Sequence, residues 1–198
     1  LTTPLYSSNT GVNIIDFITM TSAGNALDFG DMTVAYRNRD SCQSPTRGIL
    51  AGGYSSPGDD TNVIEFVVTA TTGNATDFGD TASGKVGWGQ NGYGNATRGV
   101  FPLASGGGPN YVHDSLNFIT LSTLGNTTDY GDLTTNRNLA CSFSNPTRGI
   151  LVAGNNPQAD DIDYHNIASG GKAVDFGEYS AYSHLNASAG CSNAHGGL

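Results

Sequence analysis

A tetrapeptide returns four times along this chain: Asp28-Phe29-Gly30-Asp31, Asp77-Phe78-Gly79-Asp80, Asp129-Tyr130-Gly131-Asp132 and Asp175-Phe176-Gly177-Glu178. A second signature follows each copy 20 to 22 residues on, as Thr46-Arg47-Gly48, Thr97-Arg98-Gly99, Thr147-Arg148-Gly149 and a degenerate Ala194-His195-Gly196. Self-similarity at a period of about fifty residues means a series of supersecondary units, each able to bury its apolar face only against a neighbour.

Eleven residues before each tetrapeptide stands an aromatic, Phe17, Phe66, Phe118 or Tyr164, and two residues earlier an aliphatic, Ile15, Ile64, Leu116 or Ile162. Alternation puts both on one face of a strand, with Asp16, Glu65, Asn117 and Asp163 on the other. Strand and tetrapeptide are joined by Gly24-Asn25, Gly73-Asn74, Gly125-Asn126 and Gly170-Gly171-Lys172. Such residues tolerate the positive φ of hairpin turns, so each unit holds a hairpin of fixed length. Short apolar strands, Ile49 to Gly53 and Ile150 to Gly154, follow the second signature, and more polar strands, Arg37 to Ser44 and Asn136 to Ser144, precede it. Length varies between units at Ser55 to Thr61, Ser105 to Asn110 and Asn155 to Asp161, which read as surface loops.

Four strands per unit at this period predict an all-β chain, a β-propeller of four kelch-like four-stranded blades. The 198 residues read as a single propeller domain, with units at about 11–58, 59–108, 109–158, and 159–198 with 1–10 completing the closing blade. The interval from signature Gly to the next tetrapeptide is 29 residues for Gly48 to Asp77, 30 for Gly99 to Asp129 and 26 for Gly149 to Asp175. Counting from Gly196 to Leu198 and on from Leu1 to Asp28 gives 30, so the spacing predicts a ring closed by strands from both termini.

The chain carries 8 Lys plus Arg against 17 Asp plus Glu, a formal charge of −9. That balance repels phosphate backbones and anionic lipid, which argues against nucleic acid and membrane insertion. No apolar run approaches the roughly 20 residues that cross a bilayer.

Asp-Phe-Gly also occurs in the magnesium-binding motif of protein kinases, but here it recurs four times with no glycine-rich phosphate loop or catalytic loop. The expectation is structural: the aromatic packs between blades, the glycine takes a conformation closed to other residues, and the acids Asp28, Asp31, Asp77, Asp80, Asp129, Asp132, Asp175 and Glu178 form turns or accept backbone amides. The Asp-x-Asx-x-Asx-Gly pattern of a calcium loop is missing. Arg47, Arg98 and Arg148 are expected in a ring with His195, each bridging to a tetrapeptide carboxylate, the alternative being that they line a site for an anionic ligand. Cys42, Cys141 and Cys191 suit neither a zinc knuckle nor a disulfide framework and are expected to be buried and unpaired. His113, His165, His184 and His195 lack metal-ligand spacing, and four near-equivalent copies speak against the single asymmetric constellation of an enzyme. No catalytic residue, metal site or cofactor is predicted.

Runs such as Ser44-Pro45-Thr46-Arg47-Gly48-Ile49, Gly73-Asn74-Ala75-Thr76-Asp77-Phe78-Gly79-Asp80 and Cys191-Ser192-Asn193-Ala194-His195-Gly196-Gly197 resemble the kelch-like repeat proteins of marine tailed phages over nearly the whole chain. The resemblance implies a non-enzymatic tail-fibre or other virion structural protein, located on the virion or outside the cell. Its role would be host attachment or particle decoration, its partners other virion proteins or a host-surface glycan or receptor, with a homo-oligomer as a candidate assembly. The tryptophan of a kelch blade is absent, since Trp88 lies elsewhere and Phe or Tyr stands in the motif. The alternative is a lectin-like carbohydrate-binding propeller, for which Tyr6, Tyr54, Trp88, Tyr93 and Tyr111 are the candidate ligand-contact aromatics.

Overall fold

A computed structural model of the chain describes residues 11–55, 61–82, 92–102, 113–155, 159–179 and 190. They form antiparallel sheets and no helix. Sheet 1 holds β1 (Val12–Phe17) and β2 (Leu27–Arg37), with a short β5 (Tyr54–Ser55) on the outer side of β2. Sheet 2 runs β3 (Asp40–Gln43), β4 (Arg47–Ala51), β6 (Val63–Val68), β7 (Thr76–Asp80). Sheet 3 runs β8 (Tyr93–Gly94), β9 (Arg98–Pro102), β10 (His113–Thr120), β11 (Thr128–Arg137), and sheet 4 runs β12 (Cys141–Ser144), β13 (Arg148–Gly154), β14 (Ala159–Asn166), β15 (Val174–Glu178).

The sheets cut the chain differently from the repeat units. Each four-stranded sheet opens with the Thr-Arg-Gly hairpin of one unit and ends with the fixed-length hairpin of the next. Ala159 to Asp161, expected in a loop, begin β14. The segments proposed to close a ring, 1–10 and 187–198, lie outside the described residues apart from Gly190.

The recurring tetrapeptide is a β-bulge. Opposite it the register slips once in every sheet: Ile15 faces Gly30 and Asp16 faces Asp28, Ile64 faces Gly79 and Glu65 faces Asp77, and the same slip recurs at Leu116/Asn117 and Ile162/Asp163. The glycine after the extra residue has φ of 150°, 148°, 139° or 145° in the four copies, a region that L side chains avoid. The extra residue is the aromatic, which the bulge aims at the aromatic of the adjacent strand. Centroids lie 5.9 Å apart for Phe17–Phe29, 6.0 Å for Phe66–Phe78, 5.8 Å for Phe118–Tyr130 and 6.0 Å for Tyr164–Phe176, edge-on or tilted.

Strands β3, β8 and β12 converge on one side of the array. There the Ser142 hydroxyl donates to the Gly92 carbonyl and the Ser144 hydroxyl to the Gly94 carbonyl. Three apolar clusters result, each shared by two consecutive sheets: Ile15, Met32 and Tyr36 with Val67; Ile49, Ile64 and Phe78 with Phe101 and Ile119; Tyr93, Leu116 and Leu133 with Leu151 and Ile167. The core of this protein therefore lies in its joints.

Candidate functional site

The chemistry-bearing residues of the repeats gather at these joints. In each, a turn of the following sheet adds onto the edge of the preceding one. Gly73 and Ala75 donate their amides to the carbonyls of Phe29 and Asp31, Gly125 and Thr127 to those of Phe78 and Asp80, Gly171 and Ala173 to those of Tyr130 and Asp132. Side chains reinforce the first two, where the Asp31 amide donates to the Asn74 side-chain oxygen at 3.0 Å and the Asp80 amide to that of Asn126 at 2.9 Å. A Cβ on Gly30, Gly79 or Gly131 would strike the backbone of Gly73, Gly125 or Gly171, a second reason for glycine there. The tetrapeptide thus works through its backbone. Its acids line the surface; Asp175 alone among them accepts a described turn bond, from the Gly177 amide.

The signature arginines cap the same joints, and the expected bridges to tetrapeptide carboxylates do not form among the described residues. Arg47 instead donates to the Leu121 carbonyl of the next sheet at 2.7 Å and lies 4.7 Å over the Phe66 ring. Arg98 repeats this with the Ile167 carbonyl at 3.0 Å and the Phe118 ring at 4.9 Å, while Arg148 stacks 4.9 Å over Tyr164. A guanidinium spanning a ring and a carbonyl needs no counter-charge. The turn before each arginine is folded by a side-chain acceptor. Ser44, Asn95 and Asn145 receive the amides of Arg47, Arg98 and Arg148 at 3.0, 3.0 and 2.7 Å.

Carboxylates do pair with arginines, but with different members of both classes. Glu65 is fully buried, accepts from the Thr33 amide at 2.8 Å and from its hydroxyl, and pairs with Arg39, whose other nitrogen donates to the carbonyls of Leu50 and Val63 at 3.1 and 2.8 Å. At the equivalent place Asp163 accepts from the Thr134 hydroxyl at 2.7 Å and from the buried Arg137 at 2.8 Å. Each pair ties one sheet to the previous one. Alternation placed Glu65 and Asp163 opposite the aromatics but could not show that this second face is also buried, because it is covered only by the preceding sheet. Burial, the largest influence, lowers the Arg39 pKa, and Glu65 partly restores it.

Other ionisable groups are buried in forms unsuited to reactivity. Burial pushes the Cys42 thiol far up and holds it protonated; Cys42 and Cys141 are both buried. Tyr93 is pushed well up by burial, and Tyr130 to about 12. His165 sits between the Tyr93 hydroxyl (3.4 Å) and the Asp132 carbonyl (3.3 Å), and burial lowers its pKa. Asp40 is buried with one carboxylate oxygen unpartnered, and burial raises its pKa well above the usual carboxylate range.

The ligand-contact aromatics divide. Tyr54 lies in β5 and Tyr93 in β8, both buried, so neither presents a stacking face to solvent. Tyr6, Trp88 and Tyr111 lie outside the described residues. A shallow cleft of about 220 Å³ opens at the joint of sheets 2 and 3, lined by Phe78, Phe118, Thr123, Leu124, Asn126 and Thr128. Among the described residues, no three His, Cys, Asp or Glu side chains gather as a metal site. No protein-family model matches the chain, and no curated protein matches its sequence.

Proposed function

We propose that this chain is a non-enzymatic scaffold of propeller-like blades, a virion-surface or tail-associated component that mediates host attachment or particle decoration. The observation that carries the scaffold reading is the use made of the repeated residues. Backbone of the Asp-Phe-Gly-Asp bulge and the guanidiniums of Arg47 and Arg98 are engaged by the neighbouring sheet, so what recurs builds a rigid array. Contacts with a partner then fall to segments that differ between units, as in other repeat scaffolds. The virion setting rests on the resemblance of the repeat phrases.

The blade reading is supported by the succession of β3, β8 and β12 on one side. It is also supported by Gly190, where a Cβ would strike the Ser142 carbonyl much as one on Gly92 would strike that of Ser41. A ring within one chain would need a fourth joint, between sheets 4 and 1. The carbohydrate reading retains one structural support, the cleft between sheets 2 and 3, which combines the Phe118 ring with the Thr123 and Thr128 hydroxyls.

Mass spectrometry of gradient-purified particles, paired with binding of the labelled chain to host cells, tests the proposal. Copurification with capsid or tail proteins, and cell binding lost on replacing 55–60 or 105–110, is the expected result. A glycan array giving nearly one sugar per sheet, without particle association, would transfer the assignment to a lectin. Turnover of a substrate would overturn both.

A further inference from the structure

Among the described residues three joints are made along the chain, and the two halves of a fourth are present but apart. On the trailing edge of sheet 4, Phe176 is 59% exposed, whereas its counterparts Phe29, Phe78 and Tyr130 are buried. Gly177 keeps the bulge φ of 145°, yet a Cβ there would meet nothing within 4 Å. Among the described residues no carbonyl accepts from the Arg148 guanidinium, although Arg47 and Arg98 each reach one in the next sheet.

The leading face of sheet 1 is the matching half. Ile18 is 56% exposed where Val67, Ile119 and His165 are buried, and Met20 is 95% exposed where Leu121 and Ile167 are buried. Ala26 is exposed where Ala75, Thr127 and Ala173 are buried. Gly24-Asn25-Ala26 is the same tripeptide as Gly73-Asn74-Ala75, the turn that docks on sheet 1. Each half keeps the residues that make the three internal joints, and among the described residues of one chain the halves do not meet.

We propose that the exposed edge of sheet 4 receives the Gly24-Asn25-Ala26 turn of a second copy of this chain, head to tail. The Gly24 and Ala26 amides of one copy donate to the Phe176 and Glu178 carbonyls of the other, the Asn25 side-chain oxygen accepts the Glu178 amide, and Arg148 reaches the Met20 carbonyl. The pattern is that of Gly73, Ala75 and Asn74 on sheet 1 and of Arg47 on Leu121. Such a contact is heterologous: it uses a different face on each copy, and it builds a ring or a filament according to whether the rotation closes. Unpaired strand edges favour this kind of addition. The inference holds whatever the array itself contacts.

The test is sedimentation velocity of the full chain over a wide dilution series, with three variants checked by circular dichroism and thermal unfolding. Phe176→Glu blocks the receiving edge and Ala26→Glu blocks the turn, while Phe176→Tyr places there the residue that Tyr130 already is. The expected result is concentration-dependent association, weakened at least about tenfold by either blocking variant and kept by Phe176→Tyr. A mixture of the two blocked chains should form a 1:1 dimer that grows no further, since one intact turn then meets one intact edge. A chain that stays monomeric throughout, as it would with a fourth joint closed on itself, overturns the proposal. So does association indifferent to both blocks, or a mixture that fails to dimerise. Ala26 is exposed, so its variant remains informative should Phe176→Glu misfold.

Discussion

The joint between sheets 1 and 2 and the joint between sheets 2 and 3 share their backbone pattern but differ at the centre. The first is built round the buried Glu65–Arg39 pair, while the second has the neutral Asn117 at the same strand position. The joint between sheets 3 and 4 returns to charge with Asp163 and Arg137, yet its arginine does not come from the position that supplies Arg39. Arg39 stands eight residues before Arg47, whereas Arg137 stands eleven before Arg148. The bulge and the added turn recur at all three joints, and the capping arginine at the two that follow sheets 2 and 3. The buried charge is local, and two different arginines have been recruited to neutralise it.

The charged joint should be the one most easily ruined by a single change. Glu65→Ala leaves Arg39 buried without its partner and should cost about 3–5 kcal/mol, against about 1 kcal/mol for Asn117→Ala. Replacing the pair together, Arg39→Met with Glu65→Leu, should restore most of the loss, because the desolvation of two charges disappears with them. Urea unfolding of the three variants and the parent checks this; a double variant as unstable as Glu65→Ala would mean that the joint needs its ion pair.

The neutral joint should depend instead on apolar packing. Phe78→Ala removes a buried ring from the cluster shared by sheets 2 and 3 and should cost about 3 kcal/mol, while Phe176→Ala, the same residue of the repeat on the exposed edge, should cost under about 1 kcal/mol in dilute chain. Equal losses in thermal unfolding would show that the ring matters to its own hairpin and not to the joint. Phe66, half-buried beneath Arg47, falls between these cases, so the full penalty of a core phenylalanine does not apply to it.

How much of this was legible in the sequence follows from what repeats. The hairpins, the glycine at an unusual φ and the packing role of Phe29, Phe78 and Tyr130 follow from spacing and residue type alone, since those constraints are local. The partners of Arg47 and Arg98 were not legible, because a backbone carbonyl leaves no mark in a sequence whereas a nearby carboxylate invites pairing. The Glu65–Arg39 and Asp163–Arg137 pairs were hidden for another reason. Their arginines occupy non-equivalent positions, so alignment of the units cancels the signal. A signal did exist for Glu65, the single charged residue of the apolar strand β6, but not for Asp163, whose strand also carries Asp160 and Asp161. Tyr54 and Tyr93 were not legible as buried, because what makes room for the Tyr93 ring is a glycine far away in the chain: a Cβ at Gly149 of sheet 4 would fall within it.

A smaller effect should appear at Asp40, where sheet 2 begins. Its carboxyl is buried with one oxygen unpartnered, and its raised pKa means that it is held neutral more readily in the folded chain than in the unfolded one. Stability from this group is therefore complete below its ordinary value near 3.8 and is lost as pH rises toward the folded value. Asp40→Asn, which keeps the shape and cannot ionise, should stabilise the protein by about 1–2 kcal/mol at neutral pH and by progressively less as pH falls. A variant less stable than the parent at pH 7 would mean that the carboxylate has a favourable role there.

The last difference between joints is one residue. The position that packs a sheet against its predecessor is Val67 in sheet 2, Ile119 in sheet 3 and His165 in sheet 4, so only the joint between sheets 3 and 4 can sense pH there. His165 faces Tyr93, Tyr130 and the Asp132 carbonyl, with Asp163 and Arg137 near enough to act on its charge. Burial, the first cause, lowers its pKa below 6.5, and the Asp132 carbonyl and Asp163 oppose this only in part. Its contribution is therefore present above the ordinary histidine value and is lost as pH falls toward the folded one. Over the same interval Asp40 works in the opposite direction, so the measurement belongs in the Asp40→Asn background. There the stability should drop by roughly 1 kcal/mol between neutral pH and pH 5, and His165→Ile, which installs the residue of sheet 3, should flatten that slope. Denaturant midpoints taken along the pH series decide it: an unchanged slope in His165→Ile would place the acid sensitivity in the carboxylates and make the three joints alike in this respect.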